Sequence, residues 1–283
     1  MSELNETIAF LGPRGTYTHE AADVFAASLG IDNPELIECT SFDDVFNCVD
    51  RGRAGFGVVG KENSLEGPVT ATLDNFAFRS SAVILAETVI DIHHCLVTAK
   101  DASIDNIRTV ASHPQGLAQC RRYLNEHLPS RETMIMPSTA ESARLAATDA
   151  TIAGIANEYA AKLHGCVVAA RDIEDHLGNQ TAFALIGRPG SAAQLVGKTY
   201  KTTLALFLRE DKAGALNMIL SEFAYAGINI TMLQSRPLKQ QFGDYMFFME
   251  FSGKDIDLDV QTALSCLRLK LREVKVLGSY PVI

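Results

Sequence analysis

The chain contains 283 residues, of which 47% are hydrophobic and 21% are charged, and its formal net charge is -9 at pH 7. This composition is typical of a folded protein with two or three compact units, since domains usually contain about 100 to 150 residues. The acidic balance argues against nucleic acid or an anionic membrane as the main partner, because both require a concentrated basic surface. It leaves open a small anionic ligand bound by a few local donors.

The cysteines and the N-terminal residues give an expectation for the cellular compartment of the protein. Six cysteines are scattered without a C-x-x-C pair or the spacing of metal ligands, so we expect reduced core thiols and no metal. Residues 1–6 lack the basic start and apolar run of a signal peptide. No stretch approaches about 18 uninterrupted apolar residues. A cytoplasmic location is the resulting expectation.

The first third of the chain alternates between strands and helices. A strand over 8–11 leads into a glycine-rich turn over 12–18, and apolar residues at helical spacing follow until Gly30. The pattern repeats as a strand over 36–39, a helix from the N-cap Ser41 to about residue 49, and a strand over 55–59. Such alternation predicts a parallel sheet covered by helices.

A long apolar run over 83–97 introduces a second series of strands and helices. Its predicted strands are 109–111, 133–136, 151–153 and 167–169, and its predicted helices are 115–128, 140–148 and 158–164. Two such series joined by extended segments predict a two-lobed domain with a cleft between the lobes. Ligands of open α/β sheets lie beyond the carboxyl ends of strands, so the loops 12–18, 60–68 and 112–116 are the candidate site.

The composition changes over 187–201, where we place a linker. The remaining residues predict a strand (202–209), a helix (215–225), two strands (228–235 and 245–252), a helix (256–271) and a strand (274–279). This βαββαβ order is the ferredoxin-like arrangement.

Three polar segments are candidates for chemistry, and each also has a purely structural interpretation. The loop 61–67 follows an apolar strand; it is either a ligand-binding loop or an ordinary turn. Residues 112–115 precede a helix whose free amides attract anions, although Ser112 is equally well explained as an N-cap, and Gln119 lies one turn beyond Gln115. Thr181 begins a strand, where a threonine is more often structural than functional. No nucleophile motif, metal cluster or P-loop competes with these segments.

Taken in order, these segments resemble the prephenate dehydratase family. Residues 12–16 match its Gly-Pro-x-Gly-Thr start, 62–64 its Glu-Asn-Ser loop, 112–115 its Ser-His-Pro-Gln segment, and 181–183 its Thr-Arg-Phe signature. The C-terminal segments 214–217 and 235–237 resemble the Gly-Ala-Leu and Ser-Arg-Pro parts of the effector motifs of ACT domains.

The resemblance implies a domain organisation and an activity. It implies an α/β catalytic domain over 1–190, two-lobed like type II periplasmic binding proteins with a second lobe at roughly 85–170, a linker over 191–200, and a ferredoxin-like ACT domain over 201–283. The implied reaction is dehydration and decarboxylation of prephenate to phenylpyruvate in phenylalanine biosynthesis. Phenylalanine is the implied allosteric effector, a homodimer or homotetramer the implied assembly, and no metal or organic cofactor is required.

The resemblance also implies roles for individual residues. Thr181 would donate to the leaving hydroxyl, and Asn63, Ser112 and Gln119 would orient the substrate. Glu62 and Ser64 would hold their loop, Phe183 would pack beside the ring, and Thr16 and Gln115 would also bind substrate. The implied effector residues are Gly214, Ala215, Leu216, Asn217, Gln234, Ser235, Arg236 and Pro237.

The sequence departs from the family pattern at three positions. Ala182 replaces an arginine, which removes a cation expected near the substrate carboxylates. Lys61 stands where the family usually has an apolar residue, and we hypothesise that Lys61 supplies the missing charge. Gln234 replaces the glutamate of the effector motif.

Three alternatives remain open at this stage. The first is arogenate dehydration, in which an ammonium group replaces the side-chain ketone. The second is a non-catalytic amino-acid-binding regulator, which the Ala182 departure favours. The third, a periplasmic-type solute receptor, would need an export signal and would not use an ACT domain.

Overall fold

A computed structural model describes residues 6–191, 195–210, 212–238 and 245–283. Its strands are β1 (Thr7–Leu11), β2 (Glu35–Cys39), β3 (Phe56–Asn63), β4 (Gly67–Pro68), β5 (Val83–Asp91), β6 (Cys95–Thr98), β7 (Thr109–Ser112), β8 (Glu132–Ile135), β9 (Ile152–Ala156), β10 (Val167–Ala170), β11 (Gln180–Gly187), β12 (Thr199–Phe207), β13 (Ile230–Pro237), β14 (Tyr245–Ser252) and β15 (Glu273–Val282). Its α-helices are α1 (Tyr17–Leu29), α2 (Phe42–Asp50), α3 (Thr70–Asp74), α4 (Pro114–Gln119), α5 (Arg121–His127), α6 (Thr139–Ala146), α7 (Glu158–His164), α8 (Ala215–Tyr225) and α9 (Leu258–Lys270). A π-helical turn (Asn75–Arg79) and a 3-10 turn (Ile104–Asn106) complete the list.

The strands form two sheets, and the mixed α/β prediction is confirmed. The large sheet has the order β13-β14-β12-β15-β5-β11-β3-β1-β2, with β4 paired to β3, and the small sheet has the order β10-β6-β9-β7-β8. The chain passes from the large to the small sheet between β5 and β6, and returns between β10 and β11. Pairing is parallel among β1, β2 and β3 and among β7, β8 and β9, whereas β6, β10 and β11 run antiparallel to their neighbours.

Local sequence explains the first helix. Thr16 caps α1 by accepting a hydrogen bond from the His19 amide, and the helix ends at Gly30, whose φ of 71° suits a residue without a Cβ. The buried face of α1, with Ala22 and Phe25, packs against Ile8 of β1. This packing sets the glycine-rich turn at the carboxyl end of β1.

The helix predicted over 115–128 is instead two helices, α4 and α5, which meet at Cys120. The loop after β10 causes the break. The Asp175 amide donates to the Gln119 carbonyl at 2.6 Å, and the Asp175 carboxylate accepts from the Arg122 amide at 2.9 Å. A long-range contact therefore replaces the internal helical hydrogen bonds at this point.

The C-terminal strands β12 to β15 have the predicted ferredoxin-like order and are antiparallel to one another. Helices α8 and α9 cover one face, where Ile219 and Leu264 pack on Leu204. On the opposite face, Phe248 belongs to the same core as Val59 of β3. The large sheet therefore folds back so that its two halves pack face to face.

The large sheet is continuous through β15 and β5, which the sequence did not predict. Val282 pairs with Glu87, and the Ile283 amide donates to the Glu87 carbonyl at 2.9 Å. Gly278 permits this approach, because a Cβ at that position would lie 2.3 Å from the Ile84 carbonyl oxygen. Residues 192–194 of the predicted linker lie outside the described residues. Within the described ranges, no helix has the length and apolar character needed to cross a bilayer.

Candidate active site

A cavity of about 400 Å³ lies between the two lobes at the carboxyl ends of β1, β3, β7 and β8. Two other cavities are slightly larger, at about 440 and 450 Å³, so size does not select the site. The interlobe cleft is distinguished by polar side chains that both lobes contribute. Its lining consists of Leu11, Thr16, Tyr17, Asn63, Glu66, Ile92, His94, His113, Gln115, Gly116, Gln119, Pro137, Ser138, Thr139, Asn179 and Thr181.

Asn63 lies at the end of β3 with its amide orientation fixed. Its Oδ1 accepts from the backbone amides of Leu65 and Glu66, each at 3.0 Å. Its Nδ2 faces three acceptors: Asn179 Oδ1 at 2.7 Å, Thr181 Oγ1 at 2.9 Å and the Gln180 carbonyl at 3.1 Å. If the amide were flipped, its NH2 group would face the two backbone N–H donors and its oxygen would face the three acceptors. Only one orientation therefore satisfies these partners.

Thr181 lies directly opposite Asn63 in the pairing of β11 with β3. Its oxygen accepts the Asn63 amide hydrogen at 2.9 Å, which leaves the Thr181 hydroxyl hydrogen to donate into the cleft. The chain from two backbone amides through Asn63 to Thr181 is polarised in one direction, and each hydrogen bond strengthens the next. Thr181 is therefore a preoriented donor at the wall of the cleft.

Ser64 holds the Asn63 loop against β11. Its hydroxyl accepts from the Gln180 amide at 2.9 Å, and its own amide donates to the Gln180 carbonyl at 2.8 Å. Glu62 is half-buried and pairs with Ala182 on one side and Pro68 on the other. Neither Ser64 nor Glu62 lines the cleft.

The second lobe contributes two glutamines on α4. Gln119 Oε1 lies 2.7 Å from His94 Nε2, so the imidazole donates and the Gln119 NH2 group points elsewhere. Gln115 donates to a Glu66 carboxylate oxygen, a contact that joins the two lobes across the cleft. His94 is 5% exposed, and its Nδ1 has no hydrogen-bond partner among the described residues.

The turn after β1 closes the remaining side of the cleft. Thr16 Oγ1 donates to the Leu11 carbonyl at 3.2 Å, and the Tyr17 hydroxyl donates to the His93 carbonyl. Burial raises the pKa of Tyr17, which keeps it a neutral phenol. His19 accepts from the Gly15 amide at 3.0 Å, and burial lowers its pKa, so a neutral imidazole supports the turn.

Two further predicted positions, Ser112 and Phe183, also lie away from the cleft. The Ser112 hydroxyl is fully buried and donates to the Ile155 carbonyl at 3.0 Å, beneath Gly116 of α4, so the prediction that Ser112 contacts substrate is wrong. Phe183 lies on the same face of β11 as Thr181 but two residues deeper, in the core with Phe25 of α1. Phe183 cannot pack beside a ligand in the cleft.

Lys61 also lies away from the cleft, where the sequence analysis had placed its charge. It is 2% exposed and contacts Glu87 and Glu250 rather than the cleft, so the hypothesis that its charge meets the substrate is wrong. Two buried carboxylates attract an ammonium group more strongly than an open cleft does. Among the described residues that line the cleft, none is lysine or arginine.

The predicted effector residues occupy two separate places. Gly214 and Ala215 line the cavity of about 450 Å³ at the start of α8, whereas Leu216 and Asn217 do not. Gln234, Ser235, Arg236 and Pro237 lie on β13 at the edge of the large sheet. Arg236 Nη2 lies 2.5 Å from Asp74 Oδ1 at the end of α3, so the guanidinium faces the N-terminal half of the chain.

Comparison with known proteins settles the family. The sequence matches the family described as prephenate dehydratase over residues 8–191. The chain belongs to the prephenate dehydratase family. It is 39% identical to the bifunctional chorismate mutase/prephenate dehydratase of Aquifex aeolicus, over 97% of this chain and 73% of that protein. It is 36% identical to the prephenate dehydratase of Methanocaldococcus jannaschii, over 99% of both chains.

A solved structure supports the assignment. The prephenate dehydratase of Arthrobacter aurescens, in complex with L-Phe, superposes with a TM-score of 0.85 at 36% identity, covering 97% of this chain and 89% of that chain. Likeness to prephenate dehydratases over nearly the whole length identifies the chain as an enzyme, a carbon–oxygen lyase.

The sequence analysis gave no role to several residues of the cleft wall, among them Tyr17, Glu66, His94 and Asn179. His94 interrupts the apolar run over 83–97 at the crossover between lobes, and this interruption was a usable signal. Glu66 lies within the polar loop 61–67 that the sequence analysis singled out, and Asn179 precedes Thr181 by two residues. No feature of the sequence distinguished Tyr17 from an ordinary residue in the first turn of a helix.

Proposed function

We propose that the chain converts prephenate to phenylpyruvate, with Thr181 as the donor to the leaving hydroxyl. The observation that carries this proposal is the fixed Asn63 amide, whose hydrogen bond to Thr181 Oγ1 at 2.9 Å leaves the threonine hydrogen free. In the reaction the ring C–O bond breaks while the C–C bond to the ring carboxylate supplies its electron pair to the ring. The products are phenylpyruvate, carbon dioxide and water.

The protein's main contribution is stabilisation of the departing hydroxide. A threonine hydroxyl is a weak acid, so Thr181 acts by a hydrogen bond that strengthens as negative charge develops on the leaving oxygen. The proton that completes water comes from solvent in the open cleft. Asn63 polarises Thr181 by donating to its oxygen. Asn179 holds Asn63 in place by accepting a hydrogen bond from the Asn63 amide.

Substrate binding relies on neutral donors and histidines. The described cleft lining offers the carboxamides of Gln115 and Gln119 and the imidazole of His113, while His94 orients Gln119. Gln115 donates one amide hydrogen to Glu66, which leaves its second amide hydrogen to bind a substrate carboxylate. Thr16 completes the wall on the opposite lobe.

The C-terminal strands fit a regulatory role. We propose that residues 201–283 form an ACT domain that binds phenylalanine, and that residues 1–190 form a domain of the type II periplasmic-binding-protein kind. The relative from Arthrobacter aurescens was solved with L-Phe, which supports the choice of effector. Arg236 and the Gly214 turn lie at the same end of their sheet but are separated by β14, so we propose that a homodimer or homotetramer completes the effector site.

The test is an ultraviolet assay for phenylpyruvate, with wild type, Thr181→Ala and added phenylalanine. Turnover by wild type that Thr181→Ala abolishes supports the proposal. Inertness of the wild type would refute it. Inertness combined with tight phenylalanine binding would favour a non-catalytic regulator.

Arogenate dehydration is the second candidate, and Glu66 is the observation that favours it. Its carboxylate lines the cleft and suits the ammonium group that arogenate carries in place of the ketone. Side-by-side kcat/KM values for the two substrates decide between them.

A further inference from the structure

Three buried charged side chains, Lys61, Glu87 and Glu250, and the partly exposed Lys201 meet where β3 and β5 adjoin the C-terminal strands. The Lys61 ammonium contacts carboxylate oxygens of both Glu87 and Glu250. Lys201 Nζ lies 2.7 Å from Glu87 Oε1 and 3.0 Å from Glu250 Oε1. Tyr280 donates to Glu250 at 2.9 Å. Two ammonium groups therefore alternate with two carboxylates, which defines the buried charge cluster.

Lys61 and Glu250 remain ionised within this cluster. Burial alone would lower the pKa of Lys61, but the two carboxylates outweigh burial and raise it. Burial alone would raise the pKa of Glu250, yet the two lysines hold it at about 2. Removal of one lysine consequently leaves an uncompensated buried carboxylate.

Lys61 is also the extra residue of a β-bulge. In the pairing of β3 with β11, Gly60 lies opposite Phe183 and Glu62 lies opposite Ala182, so Lys61 has no partner. In a regular strand, residues 61 and 63 would share one face. The bulge shifts the alternation, so that Lys61 faces the C-terminal strands while Asn63 faces the cleft.

Two contacts outside the pairing of β3 with β11 hold one side of the bulge. The Lys61 carbonyl accepts from the Val69 amide at 2.8 Å, and the Gly60 carbonyl accepts from Thr72 Oγ1 at 2.6 Å. These contacts satisfy the backbone groups that the bulge withdraws from the sheet. The ion pairs of the Lys61 side chain with Glu87 and Glu250 are a second attachment of the bulge, toward the C-terminal strands.

We propose that Lys61 is a positioning residue whose ion pairs with Glu87 and Glu250 fix the bulge that turns Asn63 toward Thr181. The inference rests on the proposed function of Asn63 and Thr181. It adds that β14, through Glu250, helps to hold the catalytic hydrogen bond. A shift of the C-terminal strands relative to β3 would move Lys61, and the backbone from Lys61 to Asn63 would transmit that movement to the Asn63 side chain.

The central test replaces Lys61 with methionine and measures kcat, KM and hydrogen exchange of the segment 60–68. We expect kcat to fall about 10- to 100-fold, because a misplacement of about 1 Å in a catalytic group costs about 100-fold. KM should change little, since the glutamines of the second lobe are untouched. Exchange in segment 60–68 should accelerate.

Lys201→Met is the matched control. It removes the same charge from the same two carboxylates, but Lys201 lies on β12 and has no part in the bulge. We expect a loss of thermal stability, with kcat and exchange in segment 60–68 close to those of wild type.

Lys61→Met/Glu250→Gln separates positioning from charge balance. It leaves one lysine and one glutamate in the cluster, so thermal stability should recover while kcat stays low. If Lys61→Met does not fold, this double variant supplies the comparison.

Three results would overturn the inference: wild-type kcat in Lys61→Met, an equal loss of kcat in Lys201→Met, or recovery of kcat in the double variant. Wild-type protein inert toward prephenate would refute the proposed function instead. In that case hydrogen exchange alone still decides whether Lys61 fixes the bulge.

Discussion

Replacement of Thr181 by valine is the sharpest test of the catalytic site, because it removes one hydroxyl and keeps the shape. The lost donor to the leaving hydroxide should lower kcat about 100- to 1,000-fold, or about 3 to 4 kcal/mol of transition-state stabilisation. Stability should suffer much less. Asn63 Nδ2 keeps acceptors on Asn179 and Gln180, so the lost hydrogen bond costs about 1 kcal/mol and lowers Tm by about 2 to 4 °C.

The assay follows phenylpyruvate formation at saturating prephenate, together with thermal unfolding of both proteins. Thr133→Val is the matched control, since Thr133 is exposed on β8 at the edge of the small sheet. Its kcat should equal that of wild type. A Thr181→Val enzyme that keeps kcat within about threefold of wild type would show that the hydroxyl does not meet the leaving group.

Three further changes test two residues of the cleft wall, His94 and Glu66, and one histidine outside the cleft, His93. His94→Phe removes the donor to Gln119 and should raise KM about 5- to 10-fold with little change in kcat, since one hydrogen bond contributes about 1 kcal/mol; an unchanged KM would mean that Gln119 needs no such anchor. Glu66→Gln removes the carboxylate from the cleft and should raise the ratio of kcat/KM for prephenate to that for arogenate; a lower ratio would contradict the direction of the effect. The hydrogen bond to Glu174 raises the pKa of His93, so the folded state holds that proton more tightly than the unfolded state does. His93→Gln should therefore lower the urea midpoint most below about pH 6.5 and less as pH rises through the raised pKa; equal differences at pH 5.5 and 8.5 would contradict this.

Elements with strong local signals could be predicted from the sequence. The helix predicted over 158–164 matches α7, because Asn157 caps its start and Gly165 ends it with a φ of 73°. The helix predicted over 215–225 likewise matches α8. In both cases the information lies within a few residues of the element itself.

Elements that depend on distant contacts could not be predicted. The break between α4 and α5 comes from Asp175, more than 50 residues along the chain. The partner that draws Lys61 away from the cleft is Glu250, 189 residues away. Apolar periodicity carries no signal for either contact, because both are polar interactions between segments that meet only after folding.

The candidate site shows the same division. The motifs identified Asn63 and Thr181, which the structure places opposite each other across two strands. They also pointed to Ser112 and Phe183, which are buried in cores instead. A motif marks a segment, but strand alternation decides which of its side chains face the cleft.

The position of Ala182 bears on the expectation that an arginine there would lie near the substrate carboxylates. On β11, Phe183 and Leu185 face α1, while Ala184 and Ile186 face the C-terminal strands. Ala182 therefore shares a face with Ala184, which lies opposite Glu87, and turns away from Thr181. The side chain of an arginine at position 182 would leave the backbone on the face of the sheet that holds the buried charge cluster. Lys61 already supplies positive charge on that side, so the two departures from the family pattern concern one face of the sheet. Under the proposed function, we therefore expect the neutral donors of the second lobe to bind the substrate carboxylates.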